Sequence, residues 1–208
     1  MGNIDSKELT YYQTASQYFG NGVLLDIGAH KGEWSKEINS QKKIYCFEPH
    51  PEPFRALQRN DNIIAINKGV GAKNEFKQFY FMPKIQSGSG FVNREFYKGQ
   101  EVDEVSLEIV TIDDTITETI DFAKVDTEGF EYDVLVGMAN HLSNKSVHFI
   151  QIEYGGTYKD RGIGLNTVIQ FLKPFGYHVY DYKKRFQRID SFVDDWIYNN
   201  LLVTHRTL

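Results

Sequence analysis

An amine and three carboxylates fall within eight residues in Lys124-Val125-Asp126-Thr127-Glu128-Gly129-Phe130-Glu131. Acids this close together can orient a hydroxyl and take its proton, or hold a hard divalent cation such as Mg2+ through oxygen ligands. The run Ile120 to Val125 before them has strand chemistry. The residues after them, Tyr132-Asp133-Val134-Leu135-Val136-Gly137-Met138, are apolar at helical spacing. The acids therefore sit on a strand-to-helix turn, the position at which open α/β sheets bind ligands and do chemistry. Helix capping by Asp126 or Thr127, with Glu128 and Glu131 complementing the helix dipole, is the competing structural account.

A second turn of this kind follows Val23-Leu24-Leu25-Asp26-Ile27, where Gly28-Ala29-His30-Lys31-Gly32 leads into a helix. Glycine lets a ligand come close to the backbone. A dinucleotide site would want G-x-G-x-x-G to seat a pyrophosphate on the helix N-terminus, and only Gly28 and Gly32 are present. Asp26 would repel a phosphate but can accept from an ammonium group or hold a water. Glu48, twenty residues beyond Gly28, ends the next strand where ribose hydroxyls would lie. A cofactor with a ribose and an amino-acid tail but no phosphate, S-adenosyl-L-methionine, fits these features better than NAD.

The elements that must position these groups alternate as strand and helix for most of the chain, the pattern of a parallel sheet covered on both faces. The periodicity predicts an N-terminal helix from Ser6 to Tyr18, within an N-terminal segment 1–20, and strands at Val23 to Ile27, Ile44 to Glu48 and Ile63 to Asn67. Helices are expected from Gly32 to Ser40 and from Pro51 to Gln58, the latter opening on proline. Between residues 71 and 111 the rhythm breaks: Phe76 to Met82 reads as an inserted strand and Ser87-Gly88-Ser89-Gly90 as a flexible loop. Alternation resumes with the strand ending at Asp126, a helix through His141, a strand from Val147 to Glu153 and a helix from Gly164 to Phe175. Tyr177 to Tyr182 and Leu201 to His205 close the sheet as an antiparallel pair. The count is seven strands.

At 208 residues, one domain spanning 1–208 is expected. Net charge of −5 lacks the basic footprint of a phosphate-backbone binder, so no nucleic-acid partner is expected. The one basic cluster, Lys183-Lys184-Arg185 with Arg188, reads as a loop between strands. No apolar run reaches the roughly 20 residues of a membrane span. The start lacks a secretory pattern, although Met1-Gly2 with Ser6 formally fits a myristoylation motif. The single Cys46 cannot form an internal disulfide and suits a reducing, cytoplasmic setting. No oligomeric state is implied. His50, His141, His148 and His178 are scattered and read as surface or core histidines.

The blocks DIGAHKGEWS (26–35), FEPHPEPFRAL (47–57), VTIDD (110–114), KVDTEGFEYDVLVG (124–137) and IQIEY (150–154) occur in this order. In them the chain resembles the FkbM-type family of S-adenosylmethionine-dependent methyltransferases. The resemblance implies a doubly wound α/β sheet of seven strands in the order 3-2-1-4-5-7-6. It implies O-methylation of a hydroxyl on a sugar, glycan or related natural product, with a small-molecule or glycan acceptor. Asp26, Gly28, Ala29, His30 and Gly32 match the cofactor loop, Glu48 with Pro49 the ribose-binding end of the second strand, and Asp126 the cofactor side of the acidic turn. Relatives commonly carry asparagine where His30 stands.

Asp126, Glu153 and Glu128 are the expected catalytic acids, and the same three would be the ligands if a divalent ion is used. Ser87 and Ser89 in the inserted loop, with Tyr154 and Tyr158 as an aromatic wall for a sugar ring, are the expected acceptor contacts. Two rival readings use the same fold: an NAD-dependent sugar oxidoreductase or epimerase, which would need the missing glycine fingerprint, and a noncatalytic binding module.

Overall fold

The run Val23-Leu24-Leu25-Asp26-Ile27 is buried at every residue. That is the signature of a central strand in a sheet covered on both faces. The computed structural model describes residues 6–57, 63–84, 88–181, 186–191 and 199–207. In chain order the elements are α1 (Ser6–Ser16), β1 (Val23–Ile27), α2 (Glu33–Glu37), β2 (Ile44–Phe47), α3 (Pro51–Leu57), β3 (Ile63–Ile66), β4 (Gly69–Val70), β5 (Glu75–Phe81) and β6 (Asp103–Val110). There follow α4 (Ile112–Thr115), β7 (Ile120–Val125), α5 (Glu131–Val136), α6 (Ala139–Ser143), β8 (Val147–Tyr154), α7 (Gly156–Asp160), α8 (Leu165–Leu172), β9 (His178–Asp181), β10 (Gln187–Ile189) and β11 (Asn199–Thr204).

The main sheet runs β10-β9-β11-β8-β7-β1-β2-β3. Neighbours from β3 to β8 are parallel, and β11 returns antiparallel between β8 and β9 as the expected closing pair. The sheet has eight strands, not seven, and its order changes accordingly at one edge. Its eighth strand, β10, pairs antiparallel with β9 beyond the expected boundary. β10 holds only three largely exposed residues, so no buried run announces it.

Alternation along the strands sends side chains to two cores. Leu25, Ile27, Val125, Ile150 and Ile152 pack with Val134, Leu142, Val168 and Leu172 from α5, α6 and α8. Leu24, Cys46, Phe122 and Phe149 pack with Tyr11, Trp34 and Leu57 from α1, α2 and α3. The helix expected through His141 breaks after Val136. A Cβ on Gly137 would lie 2.0 Å from the Gly71 carbonyl oxygen, and the Gly137 carbonyl accepts from the Asp113 amide at 3.0 Å.

The segment 71–111 forms part of a second sheet, β4-β6-β5, rather than one strand and a flexible loop. Its core of Phe79, Phe81, Phe91, Val92 and Ile109 includes Phe130 from the acidic turn. Gly90 and Tyr80 exchange backbone hydrogen bonds at 2.9 and 3.1 Å, the Tyr97 hydroxyl donates to the Gly88 carbonyl at 2.8 Å, and Ser89 Oγ accepts from the Met82 amide at 2.9 Å. Residues 88–90 are thus tied down. Ser87 and Lys183-Lys184-Arg185 lie outside the described residues. Among the described residues no helix is long and apolar enough to cross a membrane.

Candidate active site

At the carboxyl ends of β1, β2 and β7 a cavity opens between the two sheets, lined by Gly28, His30, Glu48, Pro49, Asp126 and Glu128 on one side and by Phe79, Phe81, Ser89 and Phe91 on the other. The β1 turn is built against the β7 turn. The Asp126 amide donates to the Ile27 carbonyl at 3.0 Å. Gly28 has φ +79°, and a Cβ there would lie 1.8 Å from the Asp126 carbonyl oxygen. Glycine is required twice over, by conformation and by contact.

Glu48 is buried, and both of its oxygens are fixed. Oε2 accepts from the His30 amide at 2.9 Å and Oε1 from the His50 amide at 2.8 Å. Burial pushes its carboxyl up to about 7, against the pull of these two amides. Each oxygen keeps a second lone pair for a ligand hydroxyl. His30 has φ +49°, a left-handed conformation in which histidine, like asparagine, is enriched. Its Nε2 is buried on the cavity wall with no partner among the described residues. The Glu33 carboxylate, 3.5 Å from Nδ1, raises the His30 pKa, and the imidazole in turn holds Glu33 down at about 2.

The rest of the loop serves it from behind. Ala29 packs in the α1–α3 core, and Gly32, at φ +75°, turns the chain into α2. Asp26 does not line the cavity: its Oδ2 accepts from Ser35 Oγ at 2.5 Å, while Oδ1 is a buried acceptor without a partner among the described residues. Burial raises its pKa, opposed by Lys124. Asp26 was expected among the cofactor contacts, but its place behind the loop keeps it off the cavity wall, and its remaining oxygen is an acceptor that a buried water could satisfy.

The acids of the second turn separate by environment. Glu131 is fully buried, and its Oε1 accepts from the Thr127 amide at 2.8 Å, Thr127 Oγ1 at 3.1 Å and the Gly129 amide at 3.1 Å. It shapes the turn from within. Burial pushes it up to about 7 despite these donors. Glu131→Ala should cost roughly 2–4 kcal/mol, because two backbone amides, that of Thr127 half-buried and that of Gly129 buried, lose their acceptor. Denaturant unfolding checks this, and Glu131→Gln should recover part of the loss by keeping one acceptor oxygen.

Asp126 accepts from Lys124 Nζ at 2.9 Å, an inward ion pair between residues two apart on β7 and its turn. Glu128 faces the cavity at φ +54° and accepts from Arg94 Nη1 at 2.9 Å. Burial first, then the Asp126 charge, pushes Glu128 up to about 8 against the pull of Arg94. Arg94 Nε lies 3.4 Å from Asp160, so one guanidinium from the connection between β5 and β6 ties the acidic turn to α7. Glu153, buried near the end of β8, completes a cluster in which one carboxylate oxygen each from Asp126, Glu128 and Glu153 lies within 4.8 Å of the others.

Of the expected acceptor contacts, Ser89 reaches the cavity. Tyr154 and Tyr158 do not: each is 1% exposed in the main core, with ring centroids 4.9 Å apart. Apolar packing claims both rings, so neither forms an open wall. His50, expected to be a surface or core histidine, instead stacks its ring on Phe81 at 3.8 Å and 9° on the cavity wall, and Arg94, which no sequence pattern marks, reaches Glu128. Only the pairing of distant segments places either one.

The family profile for the methyltransferase FkbM domain matches residues 26–181. Hexuronic acid methyltransferase AglP of Haloferax volcanii is 28% identical over 149 residues, 66% of this chain and 59% of that protein. Among solved structures, methyltransferase FkbM from Methylobacillus flagellatus aligns with TM-score 0.56 and 18% identity over 89% of this chain and 44% of its own. The chain therefore spans less than two thirds of the length of either. A Streptococcus mutans protein assigned as a methyltransferase and solved with SAH aligns at TM-score 0.52 and 14% identity over 98% of this chain and 99% of its own. An rRNA methylase from Streptococcus thermophilus aligns at TM-score 0.51 and 10% identity, covering 98% of each chain. At these identities the structural likeness is one of fold.

Proposed function

The chain belongs to the methyltransferase FkbM family, and on that premise we propose that it methylates a hydroxyl of a sugar, glycan or related natural product, using S-adenosyl-L-methionine. One observation supports this above the others: across Gly28, a single cavity joins a buried acid with both oxygens preset, Glu48, to the acids Asp126 and Glu128. Glu48 would accept from the ribose hydroxyls, Gly28 would admit the cofactor to the backbone, and the apolar side made by Phe79, Phe81 and His50 would take the adenine. When bound, the cofactor supplies an electrophilic methyl group on a sulfonium.

The chain's own acids then handle the acceptor. Asp126, tethered by Lys124, and Glu153 orient the hydroxyl. Glu128 receives its proton, since it faces the cavity and burial lifts it to about 8, nearer a useful working range than an ordinary carboxyl. Alignment supplies most of the rate, up to about 7–11 kcal/mol, with the base adding to a geometry already set. The acidic cluster is assigned to protons rather than to a metal, because Lys124 and Arg94 already pair with two of its three members. The name of the hexuronic acid relative favours a sugar acceptor. Net charge of −5 and the acids at the site disfavour nucleic acid, despite the rRNA methylase of similar fold.

Calorimetric titration with S-adenosyl-L-methionine and with NAD, followed by mass spectrometry of sugars incubated with the labelled methyl donor, tests the reading. Binding of NAD alone, or no methylated sugar, would overturn it. Glu48→Ala should weaken S-adenosyl-L-methionine binding roughly 10- to 100-fold, the worth of hydrogen bonds to a charged acceptor. That titration is best run at pH 8, above the value of about 7 at which Glu48 ionises.

A further inference from the structure

β5 presents two faces. Phe79 and Phe81 line the central cavity, so alternation turns Tyr80 to the other side of the second sheet. There Tyr80 and Tyr97, with ring centroids 5.7 Å apart and planes at 31°, wall a separate open groove with Asn93, Arg94, Gln100 and Glu104. Glu104 is the direct cross-strand partner of Tyr80. An aromatic ring with a carboxylate and amides beside it is the chemistry that recognises a sugar: the ring's negative face meets the C–H face of the pyranose, while the hydroxyls find acceptors and donors around its edge.

The groove is not isolated from the cavity. Arg94 lines it and also donates to Glu128 at 2.9 Å, so one side chain joins the groove to the acid that faces the cavity. We propose that this groove is a second sugar subsite, which holds the unit next to the one methylated and selects an oligosaccharide acceptor over a free monosaccharide. This rests on the sugar-methyltransferase reading and adds to it the size class of the acceptor.

The test is a printed oligosaccharide array probed with the full chain, without methyl donor, as wild type and as Tyr80→Ala and Glu104→Gln. Wild type is expected to retain a set of glycans, and Tyr80→Ala and Glu104→Gln to lose at least about tenfold in apparent affinity for them, the scale of one aromatic contact or hydrogen bond. If Tyr80→Ala does not fold, Glu104→Gln, an exposed isosteric change, decides. The subsite is refuted if no glycan is retained by wild type, or if both groove variants bind as wild type does. Calorimetry with S-adenosyl-L-methionine on the same preparations separates this from failure of the methyl-transfer reading, since the groove variants should bind the cofactor unchanged.

Discussion

Gly28→Ala is expected to destabilise the chain by at least about 3 kcal/mol, a fall in melting temperature of roughly 6–12 °C, and to abolish binding of S-adenosyl-L-methionine. The cause is a contact, not only a conformation. A methyl group there would lie 1.8 Å from the Asp126 carbonyl oxygen and 2.8 Å from its carbon, and this is backbone that cannot rotate aside. Relief would require the β1 and β7 turns to part, and the Asp126 amide is bonded across that seam to the Ile27 carbonyl at 3.0 Å. Gly99 supplies the control: its φ of +75° is nearly the same, yet nothing lies within 4 Å of a Cβ placed on it. Gly99→Ala should therefore show the conformational cost alone, about 1 kcal/mol. Thermal melts of the two variants decide the matter. Equal effects would mean that the seam between the turns is not the constraint.

Glu128→Gln should lower turnover by about 10² to 10⁴-fold, the usual contribution of one general base, with little change in cofactor affinity. In the wild type the rate should climb as pH rises toward about 8, where Glu128 loses its proton, and that limb should be missing from the variant. The same group marks stability in the opposite sense. Folding raises its carboxyl from the ordinary 4.5 to about 8, so the folded chain keeps a proton that the unfolded chain has released. Its stabilising contribution is complete below pH 4.5, declines as pH rises and is gone above about 8. Activity and this part of the stability thus run against each other across the same pH window. A Glu128→Gln variant that kept both the wild-type rate limb and the wild-type stability slope would remove Glu128 from the chemistry.

The inserted region matters more to this site than its sequence suggests. Phe91, Phe79 and Phe130 pack together where the second sheet meets the acidic turn, with Phe91 and Phe130 ring centroids 5.6 Å apart. A Cβ on Gly90 would lie 3.3 Å from Glu128 Cβ, so the 88–90 segment bears directly on the proposed base. The segment shapes the cavity through contact.

Much was legible in the chain alone, for local reasons. Buried runs such as Val23 to Ile27 and Ile120 to Val125 can only be central strands. Glycines at 28 and 32 mark a turn that needs left-handed backbone, and carboxylates at the ends of strands have few structural uses there. Those features brought Gly28, His30, Glu48, Pro49, Asp126, Glu128 and Glu153 to one end of the sheet, all but Glu153 on the wall of one cavity.

What each acid does was decided elsewhere, by segments far away in sequence. Arg94 crosses from the connection between β5 and β6 to Glu128, thirty-four residues on. Lys124 turns inward to Asp126, and Glu131 folds back under its own turn rather than toward the ligand. Tyr154 and Tyr158 were taken by the core, and the short polar β10 gained its place only through its neighbour β9. A residue's type fixes the chemistry it can perform and its local pattern fixes the element it occupies. Its charge state and its direction depend on burial and on partners, and those exist only once the chain has folded.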